Sequence, residues 1–509
     1  MLRKILAFIF VLALSTPAYS KTIQGHWHND LRSLFQRNSA IIYTINMRTF
    51  SAKDKNGNEL IDPDEESGNF INAIYELDNL SKMGINTLHI LPITPVGKIK
   101  AFGTAGSLYS MLSLNEINPQ IISKKSNTAA IEQAKQFITE CHKRNIRVIV
   151  DLPSSGSYDL FMKHPEYFKK DENGTPVIPL DWTDIRLFDT DNPDLMVLHK
   201  KFIDMLFEIG ADGVRADVAR LKTEEFWTEL ISYARSKDSE FLFLAETSPL
   251  WTEPVSKYAN NTSPKDLFNA GFDGYLGSYM NFKNIKTSKE FTSMIETDNK
   301  LFKKFSDKKS VIGSFSTHDE VSPIQIHGSN FSKMIIWLNT MLPLNAYYID
   351  GFPTGDQYNY SWANKPAANS QTDDEYYFTH NGQIDIFNFS RKPGGKDTTI
   401  YEEFVMANKF RNYYAVELSN AKMKFLKTSN PQVFAFSRTM NNKTVIVIGN
   451  LDFDNPQTVT VKVPKFSPNK RILNLRVQKT INNEYSKGKI KTNLDAGDIQ
   501  VLLIYNLVI

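Results

Sequence analysis

Eight short apolar segments recur along the first 350 residues, and amphipathic stretches separate most of them. The segments are rich in Ile, Val, Leu and Tyr and lie at 40–46, 86–91, 146–151, 212–217, 241–246, 272–276, 311–316 and 344–350. The helical periodicity is clear over 70–83, 127–144, 193–209, 223–236 and 328–341. Alternating strands and helices indicate an α/β fold with a parallel sheet. Eight units favour a closed (β/α)8 TIM barrel over an open doubly wound sheet.

Two further regions depart from this alternation. After about residue 415, apolar residues occur at every second position, and Met440-Asn441-Asn442 separates QVFAFSRT from KTVIVIGN as a hairpin turn would. We therefore expect a barrel domain over 21–415 and an all-β sandwich domain over 416–509. Residues 152–192 form a long connection after the third strand, and we expect them to be a small protruding subdomain.

The first 20 residues are organised like a secretory signal peptide. Arg3 and Lys4 precede the apolar stretch 5–14, which is too short to span a bilayer, and small residues stand at the cleavage position. We expect cleavage and secretion, to a periplasm or outside the cell. The 59 Lys and Arg residues against 56 Asp and Glu give a net charge of +3, and loss of Arg3 and Lys4 leaves +1. Such a charge argues against binding to nucleic acid or to a membrane surface.

Outside the strand ends, the cysteine and the two N-terminal histidines do not indicate a disulfide or a metal site. Cys141 is the only cysteine and follows Phe137 and Ile138 at helical spacing, so we expect a buried thiol rather than a nucleophile. His26 and His28 have no zinc-site spacing, and we expect them at the surface.

Charged side chains lie at the ends of four predicted strands. Because a barrel gathers the carboxyl ends of its strands around one pocket, these side chains should meet. Charged groups are seldom buried unless they are paired or functional. The residues are Asp151 on the third strand, Arg215 and Asp217 on the fourth, Glu246 on the fifth, and His318 and Asp319 just beyond the seventh.

The carboxyl groups differ in their predicted ionisation. Arg215 and Asp217 are two residues apart on one strand and share a face, so the guanidinium should lower the pKa of Asp217 and keep it ionised, as a nucleophile requires. Glu246 follows the apolar run FLFLA, which should raise its pKa and keep it protonated as an acid. Such a pair is the arrangement of a retaining glycoside hydrolase. Asp319 would add a third negative group beside a cationic sugar transition state.

Each residue alone has a structural alternative. Arg215 and Asp217 could be an ion pair inside the barrel, Glu246 a helix cap, and His318 a core histidine. Their occurrence together at neighbouring strand ends favours a site.

Three segments carry a family resemblance. GADGVRADVA, FLAE and FSTHDE, in this order on the fourth, fifth and seventh predicted strands, resemble the motifs of glycoside hydrolase family 13, the α-amylase family. IIYTINMRTFS, LYSMLSLNEINP and MLPLNAYYIDG are also similar, so the resemblance covers roughly 40–410. It implies roles for six residues: Asp217 as nucleophile, Glu246 as acid/base, Asp319 as transition-state stabiliser, Arg215 and His318 as supports of the bound sugar, and Tyr109 as the aromatic beneath it. Simple packing under its loop is the alternative for Tyr109.

The third strand departs from the family pattern. DLPSSG keeps Asp151, but Ser155 and Gly156 stand where the family usually has Asn and His. The His would contact substrate and the Asn often helps to bind a structural calcium, so neither feature is implied here. Thr317 also replaces the usual Asn before His318.

A second candidate metal site lies in DKNGNELIDPDE, 54–65. Oxygen ligands fall at alternate positions, and Glu65 stands at the twelfth. Glu59 occupies the glycine position of an EF-hand, so that motif is excluded. A calcium loop and a metal-free surface loop stay as alternatives, and the expected chemistry requires no cofactor. The candidate ligands are Asp54, Asn56, Asn58, the Leu60 carbonyl and Asp62.

These observations together indicate a retaining α-glycosidase that acts on α-glucosidic bonds of starch-like glucans or malto-oligosaccharides by double displacement. One alternative is an α-glucan transglycosidase, in which a sugar hydroxyl replaces water. Another is a non-catalytic glucan-binding protein, which the altered third strand favours slightly and the three carboxyl groups oppose. In each case the partner is an oligo- or polysaccharide, and we expect a monomer.

Overall fold

The structure is a computed structural model, and it describes residues 27–52, 66–101, 106–356, 398–466, 470–481 and 485–506. The expected signal peptide, His26 and the candidate calcium ligands at 54–62 lie outside these residues. Within the described part of the chain, none of the helices combines the length and the apolar character that crossing a bilayer demands.

The strands up to residue 356 form the barrel and one small hairpin-like pair. They are β1 (Ile41–Ile45), β2 (Thr87–Ile90), β3 (Arg147–Leu152), β4 (Gly156–Ser157), β5 (Ile185–Arg186), β6 (Gly213–Ala216), β7 (Leu242–Ala245), β8 (Gly274–Tyr275), β9 (Ser310–Val311) and β10 (Ala346–Ile349). Eight of them pair in parallel in the order β10-β1-β2-β3-β6-β7-β8-β9, and each of these eight overlaps one predicted apolar segment.

The two ends of this sheet are joined by a parallel bridge. Ile312 pairs with Asn345, and the Gly313 N–H donates to the Asn345 carbonyl at 2.8 Å. This bridge closes the curled sheet, which confirms the predicted (β/α)8 barrel. Within the connection 152–192, β4 pairs antiparallel with β5.

Helices cover the outside of the barrel. They are α1 (Leu31–Gln36), α2 (Met47–Phe50), α3 (Phe70–Ala73), α4 (Leu77–Lys82), α5 (Ala130–Lys143), α6 (Tyr158–Lys163), α7 (Pro193–Ile209), α8 (Glu224–Lys237), α9 (Pro264–Ala270), α10 (Ser288–Phe302), α11 (Pro323–Met341), α12 (Thr398–Tyr413) and α13 (Ala415–Asn420).

Local sequence explains where the long helices begin and end. The Thr223 hydroxyl accepts the Phe226 N–H at the start of α8, and Gly210 ends α7 in the left-handed conformation with a φ of 88°. A turn of 3-10 helix separates α3 from α4, where the periodicity predicted one helix. Cys141 lies on α5 and is buried, as predicted, while His28 is exposed, also as predicted.

The tail consists of strands in two sheets. The strands are β11 (Lys422–Phe425), β12 (Val433–Met440), β13 (Lys443–Asn450), β14 (Gln457–Lys462), β15 (Lys470–Asn474), β16 (Lys479–Thr480), β17 (Tyr485–Ser486), β18 (Lys489–Leu494) and β19 (Ile499–Asn506). One sheet has the order β11-β12-β13-β19-β15-β16 and the other β14-β18-β17. Met440 pairs with Lys443, so Asn441 and Asn442 form the hairpin turn. The all-β tail is confirmed.

The larger tail sheet is buried on both faces. On one side, Phe434 of β12 stacks on Phe291 of α10 with ring centroids 4.1 Å apart, and one apolar core runs from barrel to tail. On the other side, Val459 and Ile490 of the smaller sheet complete a second core. Burial on both faces accounts for the nearly continuous apolar run in β13.

Candidate active site

The ends of β3, β6 and β7 bring the predicted site residues together. Asp151 is in register with Arg215 across the β3–β6 pair. Main-chain bonds continue beyond the strands: the Asp217 N–H donates to Leu152 O at 3.0 Å, and the Glu246 N–H donates to Ala216 O at 2.9 Å. The sheet therefore sets the positions of both carboxyl groups, and a pocket opens there that Arg215, Glu246, His318 and Asp319 help to line.

One buried guanidinium contacts three carboxyl groups. Arg215 Nη1 donates to both oxygens of Asp151 at 2.8 Å and to Asp217 Oδ1 at 3.2 Å. Its Nη2 lies 2.8 Å from Glu246 Oε1. Asp217 and Glu246 therefore lie on the two terminal nitrogens of one guanidinium.

Burial and the shared Arg215 guanidinium together determine the ionisation of the two aspartates. Burial alone would raise the pKa of Asp151, but Arg215 and His89 outweigh it and lower that pKa to about 2. Burial raises the pKa of Asp217 above its usual range, with Arg215 opposing and Asp151 adding to the rise. Arg215 does act to lower the pKa of Asp217, as predicted, but the net direction of the prediction is wrong, because burial and the nearby Asp151 outweigh Arg215.

Glu246 has the environment expected of an acid. Burial raises its pKa well above the usual range, Arg215 opposes the rise, and Asp217 and Asp319 add to it. The Val218 N–H donates to Glu246 Oε2 at 2.8 Å. Val218 has a φ of 34° and a ψ of 54°, a left-handed conformation that is costly for a β-branched residue. This strained turn directs the Val218 N–H at Glu246.

The loop after β9 and the segment around Tyr109 complete the pocket. The Tyr109 hydroxyl donates to Asp151 Oδ2 at 2.9 Å, and its oxygen lies 2.7 Å from His318 Nε2. The two rings stack with centroids 5.8 Å apart. Burial lowers the pKa of His318 to about 3, so its ring is neutral. The Asp319 side chain is 40% exposed, far more than those of Asp217 and Glu246, and so lies at the pocket mouth.

The pocket also contains residues that the sequence reasoning missed. His89 on β2 lies 3.3 Å from Asp151 through Nε2 and 3.1 Å from the Thr44 hydroxyl through Nδ1. Tyr347 on β10 lines the same pocket. Ser154 donates to Asp217 Oδ2 at 2.7 Å. His89 could have been found, because it is the one imidazole within the apolar run NTLHIL.

The altered third-strand motif has a steric cause. A Cβ on Gly156 would lie 2.7 and 2.8 Å from ring carbons of Phe168, so a histidine cannot occupy this position unless Phe168 moves. Among the described residues, the buried Ser155 hydroxyl has no hydrogen-bond partner. One hydroxyl does not fit a calcium site, which needs six or more oxygens. Across the ranges that the structure describes, there is no group of three or more His, Cys, Asp or Glu residues suited to a metal.

Comparison with known proteins finds several relatives of low identity. No protein-family model matches the sequence. The chain is 21% identical to alpha-amylase 3 of Dictyoglomus thermophilum, over 96% of this chain and 98% of that protein. It is 22% identical to the alpha-1,4-glucan:maltose-1-phosphate maltosyltransferase of Picrophilus torridus, over 78% of this chain and 61% of that protein. The chain thus spans about three fifths of the length of such maltosyltransferases.

Solved structures share the fold. An alpha-amylase from Lactobacillus plantarum superposes with a TM-score of 0.69 at 19% identity, over 92% of this chain and 99% of that chain. A maltogenic alpha-amylase from Thermotoga neapolitana gives the same TM-score at 20% identity, over 92% and 99%. A debranching enzyme from Nostoc punctiforme gives 0.66 at 16% identity, over 93% and 99%. The whole architecture, barrel and tail, is shared with these proteins.

Proposed function

We propose that the chain is a member of glycoside hydrolase family 13, the α-amylase family, and that it cleaves α-glucosidic bonds of starch-like glucans or malto-oligosaccharides with retention of configuration. One observation carries the proposal: a single guanidinium, that of Arg215, contacts both Asp217 and Glu246. One of these carboxyl groups can attack an anomeric carbon while the other protonates the departing oxygen.

The reaction proceeds in two displacements. The Asp217 carboxylate attacks the anomeric carbon, and the Glu246 carboxylic acid gives its proton to the glycosidic oxygen, which leaves as an alcohol. The product is a β-glucosyl ester on Asp217. Glu246, now a carboxylate, removes a proton from water, whose oxygen attacks the same carbon and releases Asp217. Asp319 lies near Glu246 and stabilises the positive charge of the sugar in both transition states.

Supporting residues act on geometry and charge. Asp151 accepts two bonds from Arg215 and fixes the plane of its guanidinium. Neutral His318 binds the Tyr109 oxygen through Nε2, which orients both rings at the pocket wall. We assign these two rings to the binding of the sugar at the cleavage point.

Glucan transfer is the second candidate, and the similarity to maltosyltransferases favours it. The first displacement is the same, and a sugar hydroxyl replaces water in the second. A third candidate is a glucan-binding protein without activity, which the replacement of the family's His by Gly156 favours.

Incubation with maltoheptaose, followed by chromatography of the products, separates the three candidates. Shorter sugars alone indicate hydrolysis, longer sugars indicate transfer, and unchanged maltoheptaose with measurable binding indicates a binding protein. A parallel incubation with maltose 1-phosphate and a glucan tests transfer from that donor. Proton NMR of the first product then identifies the anomer, and an initial β anomer would contradict the double displacement.

We also propose that residues 1–20 direct export and that the loop 54–65 binds Ca²⁺, on the support of the sequence pattern. Mass spectrometry of the exported protein should find an N-terminus after Ser20. EDTA should lower the melting temperature, and Ca²⁺ should restore it. In the Asp54→Asn, Asp62→Asn double variant, the response to EDTA should be lost. An equal response in this variant would contradict calcium binding at this loop.

A further inference from the structure

One residue, Ser154, makes two hydrogen bonds to the candidate nucleophile. Its N–H and its hydroxyl both donate to Asp217 Oδ2, at 3.1 and 2.7 Å. Arg215 contacts the other oxygen, Oδ1, at 3.2 Å. Since both carboxylate oxygens are held, the carboxyl plane of Asp217 cannot rotate freely.

A buried lysine holds Ser154 in turn. Lys222 Nζ donates to the Ser154 carbonyl at 2.8 Å, and Lys222 is 1% exposed. Its ammonium lies 5.6–6.0 Å from the ring centroids of Phe188, Phe226 and Trp227. A buried ammonium is costly unless it is well paired, so its place behind the pocket calls for a reason beyond packing.

We propose that Lys222 and Ser154 form a buried brace that orients the Asp217 carboxylate for attack and favours its ionised form. Both are positioning residues, and the inference rests on the proposed function for the role of Asp217. The brace joins the loop after β3 to the loop after β6. The bond from the Asp217 N–H to Leu152 O, at 3.0 Å, links the same two loops.

The charged surroundings are consistent with this role. Burial lowers the pKa of Lys222 to about 7, and the attraction of Asp217 opposes the fall, so Lys222 is cationic in mildly acidic solution. His199 of α7 lies near Lys222, and burial lowers its pKa to about 3, which leaves it neutral. Lys222 is therefore a second cation behind the nucleophile, after Arg215. The titratable groups that act on Asp217 or respond to it are Asp151, Arg215, Glu246, Tyr109, His318 and Lys222.

The pH profile of kcat/KM on maltoheptaose tests the serine. Ser154→Ala removes one donor to Asp217 Oδ2, which should raise the pKa of Asp217. The acid limb of the profile, where activity falls toward low pH, should then move to higher pH by about 0.5–1 pH unit. We expect kcat to fall about tenfold or more with little change in KM. Ser154→Thr keeps the hydroxyl and should restore the limb. A fall in activity with an unmoved acid limb would show a merely structural role and overturn the proposal.

The Lys222→Met variant tests the lysine, with exposed Lys289→Met as the matched control. Met keeps the length and volume without the charge, so the acid limb should again move up and kcat should fall. The folded-state pKa of Lys222, about 7, is below its unfolded value, so protonation of Lys222 opposes folding increasingly as the pH falls below the unfolded value and fully below about pH 7. The melting temperature of Lys222→Met at pH 6 should therefore equal or exceed that of the wild type. A wild-type acid limb in this variant would overturn the brace.

A third measurement is independent of turnover. In protein labelled with ¹³C at lysine Cε, the signal that disappears in Lys222→Met should titrate near pH 7. In Asp217→Asn it should titrate at lower pH, because the negative neighbour is lost. An unchanged titration would overturn the brace even if the wild type proved inactive. A wild type that is inactive on every glucan, with the expected NMR shift, would overturn the proposed function alone.

Discussion

At the residue scale, the distribution of one positive charge governs the pocket. Arg215 contacts Asp151, Asp217 and Glu246, and Asp151 receives the two shortest bonds to Nη1. Asp151 is the carboxyl group that stays ionised most firmly. Asp217 contacts Nη1 at a longer distance, Glu246 contacts Nη2, and burial raises the pKa of each of these two carboxyl groups. The pair therefore titrates as a coupled unit above the ordinary range of carboxyl groups.

This coupling predicts the pH dependence of turnover. Asp217 must be ionised, so activity is lost as the pH falls through its raised pKa, and the acid limb should lie at higher pH than the usual pKa of an aspartate. Glu246 must be protonated, so activity is lost as the pH rises through its own raised pKa. In Glu246→Gln, kcat should fall by about 10²–10⁴ and the alkaline limb should disappear. An alkaline limb retained in this variant would assign that limb to another group.

Replacement of the nucleophile should separate binding from chemistry. Asp217→Asn has nearly the same shape but cannot form the glucosyl ester, so we expect kcat to fall by about 10⁴-fold or more. The Kd for maltoheptaose, measured calorimetrically, should change little. Asp191→Asn, whose side chain is 83% exposed in the wild type, is the matched control and should keep full activity. Turnover of Asp217→Asn at the wild-type rate would remove Asp217 from the mechanism.

At the element scale, the ring of Phe168 occupies the space beside the short strand β4 where a side chain at position 156 would lie. Gly156 leaves room for the ring of Phe168, which is 3% exposed and stacks on Phe188 with centroids 5.0 Å apart. The space next to the backbone of β4 is therefore taken by a residue from the connection 152–192. The glycine at position 156 and the packing of Phe168 therefore depend on each other.

Gly156→Ala should test this packing. The new Cβ would meet the Phe168 ring at 2.7 Å, so we expect a loss of about 1–3 kcal/mol in the free energy of unfolding, measured with denaturant. In the double variant with Phe168→Leu, the loss should be smaller than the sum of the two single effects, since the clash is removed. Strict additivity would show that the two residues do not compete for the same space.

At the scale of the whole molecule, the barrel and the tail share a core. The apolar cluster that contains barrel residues such as Tyr348 continues through Phe291 to Phe434 and Val447 of the larger tail sheet. Neither part buries this surface alone. We therefore expect both parts to unfold in one cooperative transition.

Phe434→Ala should show this cooperativity. Five tryptophans (Trp27, Trp182, Trp227, Trp251 and Trp337) lie in the barrel part of the described residues, and the chain has none after residue 398, so tryptophan fluorescence reports on the barrel rather than on the tail. The truncation should reduce the free energy of unfolding reported by that fluorescence by about 3–5 kcal/mol, although the substituted residue lies in the tail. Val477→Ala, at a position 56% exposed, is the control and should change nothing. An unmoved fluorescence transition in Phe434→Ala would mean that the two parts unfold independently.

Much of the architecture could be predicted because its signals are local. Each barrel strand is an apolar run of a few residues, and each overlaps its predicted segment, even β8 and β9 with only two residues each. The Asn441–Asn442 hairpin also follows from neighbouring residues. The position of charged residues at strand ends is a sequence property too, so the gathering of Arg215, Asp217 and Glu246 around one pocket could be expected. The calcium loop and the signal peptide stay predictions, because both lie outside the described residues.

The sequence by itself determined the barrel, the all-β tail and the set of carboxyl groups at the strand ends, because periodicity and topology carry that information. Only the tertiary structure decided which groups pair with each other. Arg215 donates to both oxygens of Asp151 and keeps that carboxyl group ionised, while burial raises the pKa of Asp217. The bond from Lys222 to the Ser154 carbonyl is also a result of the tertiary structure. Ionisation and bracing depend on distances of a few ångströms between loops far apart in the chain, and no residue pattern along the chain encodes those distances.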